Sequence, residues 1–352
     1  MAALTDRQVA PEFSVVIPTY DRPRLVERCL HGLAETLSPG GGFEVIVIDD
    51  GSPEPLDPIA ERFASQLDLR IYRQRNRGPA AARNLGVRVA RGRWVAFLDD
   101  DCIPEPEWLR GFAMALDDGL YAGAGGLMVS RPDDSTFSIA SNLLVAYLCD
   151  YFDNVDHAQF FPTANLVVER EAFLALGGFD ESFRLAAAED RDLCDRWSEH
   201  GLAIRVAVDA VVHHSPKLSL GSFVRQHFNY GRGACHLHEA RRRRGVAAPR
   251  VEPLRFYSGL LLSPLRFHTE RSPLVMVPLM LITQIANAAG YYAERAGALG
   301  RRRSPPSPAT DSSVSLPRPV RAEREAPTSA PPSPPHRPRP ESGPTTADAR
   351  VG

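Results

Sequence analysis

Between Phe13 and Leu98 the sequence is built from short apolar runs that stop abruptly at polar residues. Phe13–Ile17, Glu44–Ile48 and Trp94–Leu98 are strand-length and too apolar to leave one face in water; Leu69–Tyr72 is a shorter run. Between them lie amphipathic stretches, Arg24–Leu37, Leu56–Gln66 and Pro79–Ala90, which read as helices, the last with a proline in its first turn. This alternation predicts an α/β fold, a mostly parallel Rossmann-like sheet with helices on both faces. Ligands of such sheets bind beyond the carboxyl ends of the strands. Here those ends carry Pro18-Thr19-Tyr20-Asp21-Arg22, Asp49-Asp50-Gly51-Ser52 and Asp99-Asp100-Asp101.

The acidic triplet is the strongest local signal. Three adjacent carboxylates at the end of a buried strand repel one another, and a divalent cation relieves the repulsion; oxygen ligands suit Mg²⁺ or Mn²⁺. An acidic loop capping a helix that begins near Pro106 is the competing reading. Asp49-Asp50-Gly51-Ser52 offers carboxylates to a base N–H or a ribose hydroxyl, and is also an ordinary Asp-Gly turn. No G-x-G-x-x-G follows the first strand, which disfavours a nicotinamide dehydrogenase. Gly123-Ala124-Gly125-Gly126 reads as close strand packing. Glu189-Asp190 opens a helix that runs through Leu193 and Trp197, where a carboxylate serves either as a general base or as charge compensation at the helix terminus. His213-His214 end the apolar run Ala207–Val212, and an imidazole there either completes a metal's coordination or makes ordinary hydrogen bonds.

In order, these pieces resemble the family 2 glycosyltransferases of the GT-A fold. The matching residues are Val15-Val16-Ile17-Pro18-Thr19-Tyr20 with Arg22, Val47-Ile48-Asp49-Asp50-Gly51-Ser52, Gly78-Pro79-Ala80-Ala81-Ala82-Arg83-Asn84, Phe97-Leu98-Asp99-Asp100-Asp101, Asn165, Gly177-Gly178-Phe179-Asp180, and Glu189-Asp190 with Leu193 and Arg196. The resemblance covers residues 13 to about 240. It implies that Pro18, Thr19, Tyr20, Arg22, Asp49, Asp50, Arg83, Asn84, Asp99 and Asp100 bind the donor nucleotide, with Asp49 accepting from the base and Asp100 facing the ribose. Asp101, Asp99 and His213 would hold the metal, with His214 the alternative histidine. Gly177, Gly178, Phe179 and Asp180 would form the acceptor loop, and Asp190, with Glu189 beside it, the catalytic base. The implied reaction is a single inverting displacement from a nucleoside-diphosphate sugar, a UDP-sugar by expectation, to a hydroxyl acceptor that is lipid-linked or part of a polysaccharide. A non-catalytic nucleotide-sugar-binding module and a nucleotidyltransferase are the rival readings.

Other features bound the setting. A net charge of −2 gives no field for nucleic acid. Five cysteines without C-x-x-C spacing suit a reducing compartment. Residues 1–12 read as an N-terminal extension without a signal-length apolar stretch, which predicts a cytoplasmic chain. Residues 13–215 form the expected catalytic domain. Residues 216–300 are expected to be helical and to attach to the cytoplasmic face of the plasma membrane, with Phe223–Arg244 as a basic helix. Ser272–Ala293, 22 residues without a charge, is expected to be an interfacial or re-entrant helix rather than a full span. From 301 to 352 a Pro/Arg-rich composition predicts a disordered tail; 13 of the 31 prolines lie beyond Arg303.

Overall fold

In a computed structural model, residues 10–153, 160–246, 252–267, 269 and 271–301 are described. The first half alternates as expected: β1 (Phe13–Thr19), α1 (Pro23–Glu35), β2 (Phe43–Asp49), α2 (Asp57–Phe63), β3 (Leu69–Arg73), α3 (Pro79–Val89) and β4 (Trp94–Leu98). After the acidic triplet come β5 (Cys102–Pro104), α4 (Trp108–Leu116), β6 (Gly123–Val129), α5 (Thr136–Asp153), β7 (Asn165–Glu169), α6 (Arg170–Ala175), α7 (Glu189–Glu199) and β8 (Ile204–His214). Three long helices close the described chain: α8 (Leu220–Arg243), α9 (Leu254–Arg266) and α10 (Pro273–Arg301).

All eight strands form one sheet in the order β3-β2-β1-β4-β7-β6-β8-β5. The segment from β3 to β4 is parallel throughout. Beyond β4 the sheet is mixed: β7 runs antiparallel to β4 and β6, β6 is parallel to β8, and β5 is antiparallel to β8. Strand alternation sorts the side chains into two cores. Phe13, Val15, Ile17, Val45 and Val47 pack with α1, α2 and α4, while Val16, Ile46, Ile48, Val95 and Phe97 pack with α3, α6 and α7. The Gly123–Gly126 stretch lies in β6, where a side chain on Gly126 would strike the Ala210 carbonyl of the neighbouring strand.

A third core joins α5 to α8, α9 and α10 through Ile139, Leu143, Tyr147, Phe223, Phe256, Leu260, Met276 and Met280. The expected boundary at 215/216 is therefore not a packing boundary, because α5, from the first region, is built into the C-terminal helices. α8 and α10 touch backbone to backbone. A Cβ on Gly231 would collide with the Asn287 carbonyl, and one on Gly290 with the Phe228 carbonyl. Part of the basic end of α8 is committed: Arg241 pairs with Asp195 at 2.5 Å and Arg244 with Asp192 at 2.6 Å, both on α7, while Arg242 and Arg243 stay exposed. Arg241 and Arg244 hold two helices together rather than lying free for an anionic surface. The expected disordered tail at 301–352 falls, apart from the helical backbone of Arg301, outside the described residues, as does 1–9 of the N-terminal extension.

Candidate active site

The carboxyl ends of β1, β2 and β4 meet at one edge, as the parallel register requires: Thr19 lies beside Asp49, and Val16 beside Phe97. Asp100 is buried there, accepting from Thr19 Oγ1 at 2.7 Å and Arg22 Nη1 at 3.1 Å. Burial, and then the neighbouring Asp101 carboxylate, push its pKa up to about 6. Asp101 lies next to His214, with Nε2 to Oδ1 at 3.4 Å. Burial works against its charge, but His214 and then Arg22 hold its pKa below the usual carboxylate value. The same pairing outweighs burial at His214 and raises the imidazole.

His213, expected as the metal ligand, faces the other way and meets Glu105 at 3.2 Å. Successive residues on a strand point to opposite faces, and β5 pairs Cys102 with His214, which sets His214 beside the triplet. Asp99 accepts from Arg83 Nη2 at 2.7 Å through Oδ1. Arg83 is buried at 2% exposure, and its other nitrogen reaches Glu189 Oε1 at 2.9 Å. It thus bridges Asp99 to the start of α7.

Several of the residues expected to touch ligand also hold their own loops together. Asp50 is satisfied internally by Gln74 Nε2 at 2.7 Å, Arg77 N at 2.9 Å and Gly78 N at 2.8 Å. Asp49 is buried and accepts from Ser52 N at 2.8 Å, closing its own turn. Pro18 is half-buried and Tyr20 exposed at the same edge. Asn84 is a clamp: its Nδ2 donates to the Phe179 carbonyl and its Oδ1 accepts from Phe179 N, both at 2.9 Å. Gly178 has φ +73°, and a Cβ there would lie 2.6 Å from Asn84 Oδ1. Phe179 is in the core against Phe97 and Phe173. Asp180 accepts from Ser182 N at 2.8 Å. None of Gly177, Gly178, Phe179, Asp180 and Asn84 lines the cavity described next. Asn165 ties Trp108 Nε1 to the Leu127 and Ala210 carbonyls.

A cavity of about 1610 Å³ opens beside the triplet, with Asp99, Asp101, His214, Glu189 and Asp190 in its wall. It runs on between α5, α7, α8, α9 and α10. Ala188, at φ +69°, turns the chain into α7, so both acids fall in the first helical turn. Glu189 is tied to Arg83; Asp190 is half-buried and accepts only from the adjacent Arg191 N, at 2.8 Å, among the described residues. Burial and then the Glu189 carboxylate raise its pKa to about 7, outweighing the helix terminus and Arg83. Tyr230, which sequence patterns did not single out, lines the same wall and accepts from Gln226 Nε2 at 2.7 Å.

Two family profiles match this chain: "Glycosyl transferase family 2" over residues 14–173 and "Glycosyl transferase family group 2" over residues 94–293. The chain is a family 2 glycosyltransferase. Among its curated relatives, the glycosyltransferase AglE of Haloferax volcanii is 28% identical over 63% of this chain and 73% of its own. The chondroitin synthase of Escherichia coli is 28% identical over 57% of this chain but only 34% of its own, so the chain spans about a third of that protein. The mannosyltransferase PcManGT of Pyrobaculum calidifontis, solved in complex with GDP-Man and Mn²⁺, superposes over 84% of this chain and 82% of its own with a TM-score of 0.52 at 20% identity. The fold is thus the GT-A arrangement that the resemblance implied.

Proposed function

We propose that the protein transfers a sugar from a nucleoside-diphosphate sugar to an acceptor hydroxyl with inversion, using Asp190 as general base. The observation that carries this reading is the position of Asp190. Its carboxyl lies in the wall shared with Asp101 and His214, while its neighbour Glu189 is committed to Arg83. A carboxylate with a pKa near 7 is well matched to take a hydroxyl proton at neutral pH. The donor would lie along the edge formed by Thr19, Asp49 and Asp100, and the acceptor would enter through the cavity between α5 and α8. Residues 13–215 would supply the chemistry and residues 216–300 the acceptor side.

The donor set fits a divalent cation. Asp101, Cys102 and His214 place their ligand atoms within 4.8 Å of one another. Cys102 is fully buried and its thiol is pushed well up by that burial, so the oxygen and nitrogen pair Asp101 and His214 would hold Mg²⁺ or Mn²⁺. When bound, the cation supplies positive charge for the leaving nucleoside diphosphate. Arg22, ion-paired with Asp100 and Asp101, adds a guanidinium at the same edge. Arg83 keeps Glu189 and Asp99 in place, and Asp190 accepts the acceptor's proton as the displacement proceeds. One such displacement inverts the anomeric carbon without a covalent intermediate. The test is turnover of UDP-sugars, the expected donors, and of GDP-mannose, followed by release of nucleoside diphosphate, in wild type and Asp190→Asn. Undiminished turnover by the variant overturns the assignment.

Membrane attachment belongs to the same proposal. Pro273–Gly297 is long and apolar enough to cross a membrane, with mean hydropathy 1.5, and a third of it is buried. Met276, Met280, Thr283 and Gly290 face the protein, whereas Leu274, Leu281, Ile285 and Tyr292 form an exposed stripe along the opposite side. Arg271 and Arg295 flank the apolar stretch. An apolar stripe bounded by arginines on a helix docked to its domain suits a helix lying in the cytoplasmic lipid interface.

A further inference from the structure

Arg191, next in sequence to Asp190, is an unusual arginine. Its guanidinium has no hydrogen bond to, and no carboxylate oxygen within 4.0 Å of it among, the described residues. It is fixed instead by two rings, with its central carbon 5.2 Å from the centroid of Phe152 and 5.9 Å from that of Phe160. The nearby acid Asp195 is already taken by Arg241 through both oxygens. Burial and then the Arg241 charge press the Arg191 pKa downward, the mark of a cation poorly compensated by its surroundings. Arg191 lines the cavity that holds Asp190.

Its place within that cavity is on the acceptor side. Arg191 lies over Phe152 of α5, whose ring centroid is 6.5 Å from that of Phe256 on α9. Arg83, by contrast, is hydrogen-bonded to Asp99 at the end of β4 and to Glu189. Arg191 therefore faces the α5–α9 wall, and Arg83 the strand ends. Next to it the cavity wall is apolar and aromatic: Leu144, Val145 and Leu148 of α5, and Phe256 and Tyr257 of α9.

We propose that Arg191 anchors an anionic phosphoryl group of the acceptor beside the general base, and that the α5–α9 wall receives an apolar stem attached to that group. The acceptor class is an amphiphile with a phosphate or phosphodiester head. This rests on the reading of Asp190 as the acceptor-side base. An arginine set against two rings loses little freedom on gripping a phosphoryl oxygen, and its five donors have no partner among the described residues. The apolar wall accounts for why the cavity continues past the reacting centre towards the exposed stripe of α10.

Equilibrium binding of farnesyl phosphate, farnesol and inorganic phosphate to the full-length protein in detergent tests this without turnover. Farnesyl phosphate is expected to bind at least about tenfold more tightly than either of the others, since a hydrogen-bonded charge contact and apolar burial both contribute. Arg191→Gln should bring farnesyl phosphate down to the level of farnesol, and Arg191→Lys should keep most of the difference. Equal binding of farnesol and farnesyl phosphate, or an unaltered Arg191→Gln, overturns the anionic site. Inorganic phosphate binding as tightly as farnesyl phosphate overturns the stem. Loss of UDP or GDP binding in Arg191→Gln, with farnesyl phosphate unaffected, would place the arginine on the donor. Failure of the Asp190 assignment is read separately, in turnover of bound donor by Asp190→Asn.

Discussion

Asp101 and His214 face each other at 3.4 Å across the β5–β8 pairing, while the adjacent His213 is turned away towards Glu105. The pairing yields a sharp comparison of two neighbouring histidines. His214→Ala and Asp101→Ala should abolish the Mn²⁺-dependent part of donor-nucleotide binding, and His213→Ala should retain it within a factor of about 3, since it removes no ligand. Titration of UDP or GDP with and without EDTA checks this; an effect of His213→Ala as large as that of His214→Ala contradicts it.

Asp190→Asn keeps the shape of the side chain and removes the proton acceptor. It should lower kcat by about 10²–10⁴-fold with donor affinity nearly unchanged. In wild type the rate should rise with pH and be half-maximal near 7, where Asp190 loses its proton, and this limb should vanish in the variant. Steady-state rates from pH 5 to 9 provide the measurement.

Asp190 and His227 should bias stability in opposite directions with pH. Folded Asp190 keeps its proton to about 7, against about 3.9 in an unfolded chain, so the native state binds more protons and loses stability as pH rises between the two. Asp190→Asn should melt above wild type at pH 8, with the gap closing at pH 4. His227 is fully buried, both ring nitrogens lack hydrogen-bond partners among the described residues, and burial depresses its pKa to about 4. An unfolded histidine titrates near 6.5, so this contribution to stability is lost as pH falls from about 6.5 to 4, by at most about 3 kcal/mol. His227→Phe should flatten that acid limb. Thermal melts at several pH values test both slopes.

Gly178→Ala should destabilise the fold by about 2 kcal/mol or more, because it forces a side chain into left-handed backbone and against the Asn84 amide. Asn84→Ala should act similarly by leaving the Phe179 backbone unpaired. The readout is melting temperature; normal melting with selective loss of donor binding would return Asn84 to the donor site.

Leu274→Glu and Leu281→Glu place charge on the outer stripe of α10, where Leu274 is 87% and Leu281 50% exposed. Both should fold and yet lose sedimentation with vesicles containing anionic lipid, each removed side chain costing about 1.5–3 kcal/mol of burial. Wild-type protein staying wholly in the supernatant at low salt would refute the interfacial role.

The sheet up to β4 was legible because buried parallel strands have an unambiguous pattern, apolar throughout and closed by polar residues. α5 was not, since Leu143, Leu144 and Tyr147 face a core made by helices more than 70 residues away. Motif order located the acids of the site but not their partners. Whether Asp50 meets a ligand or its own loop depends on Gln74, Arg77 and Gly78, brought to it by the β2–β3 pairing. The choice between His213 and His214 rests on strand register, which two adjacent identical residues conceal. Arg191 gave no signal of its own, because its environment comes from Phe152 and Phe160.

The glycine contact between α8 and α10 has a mechanical consequence. With Gly231 against the Asn287 carbonyl and Gly290 against that of Phe228, neither helix can roll or slide along the other without steric collision. The outer leucines of α10 thus keep a set bearing relative to the mouth beside Asp190. On any surface those leucines touched, the enzyme would sit at one tilt, and the reach from that surface to Asp190 would be fixed like the throw of a jig.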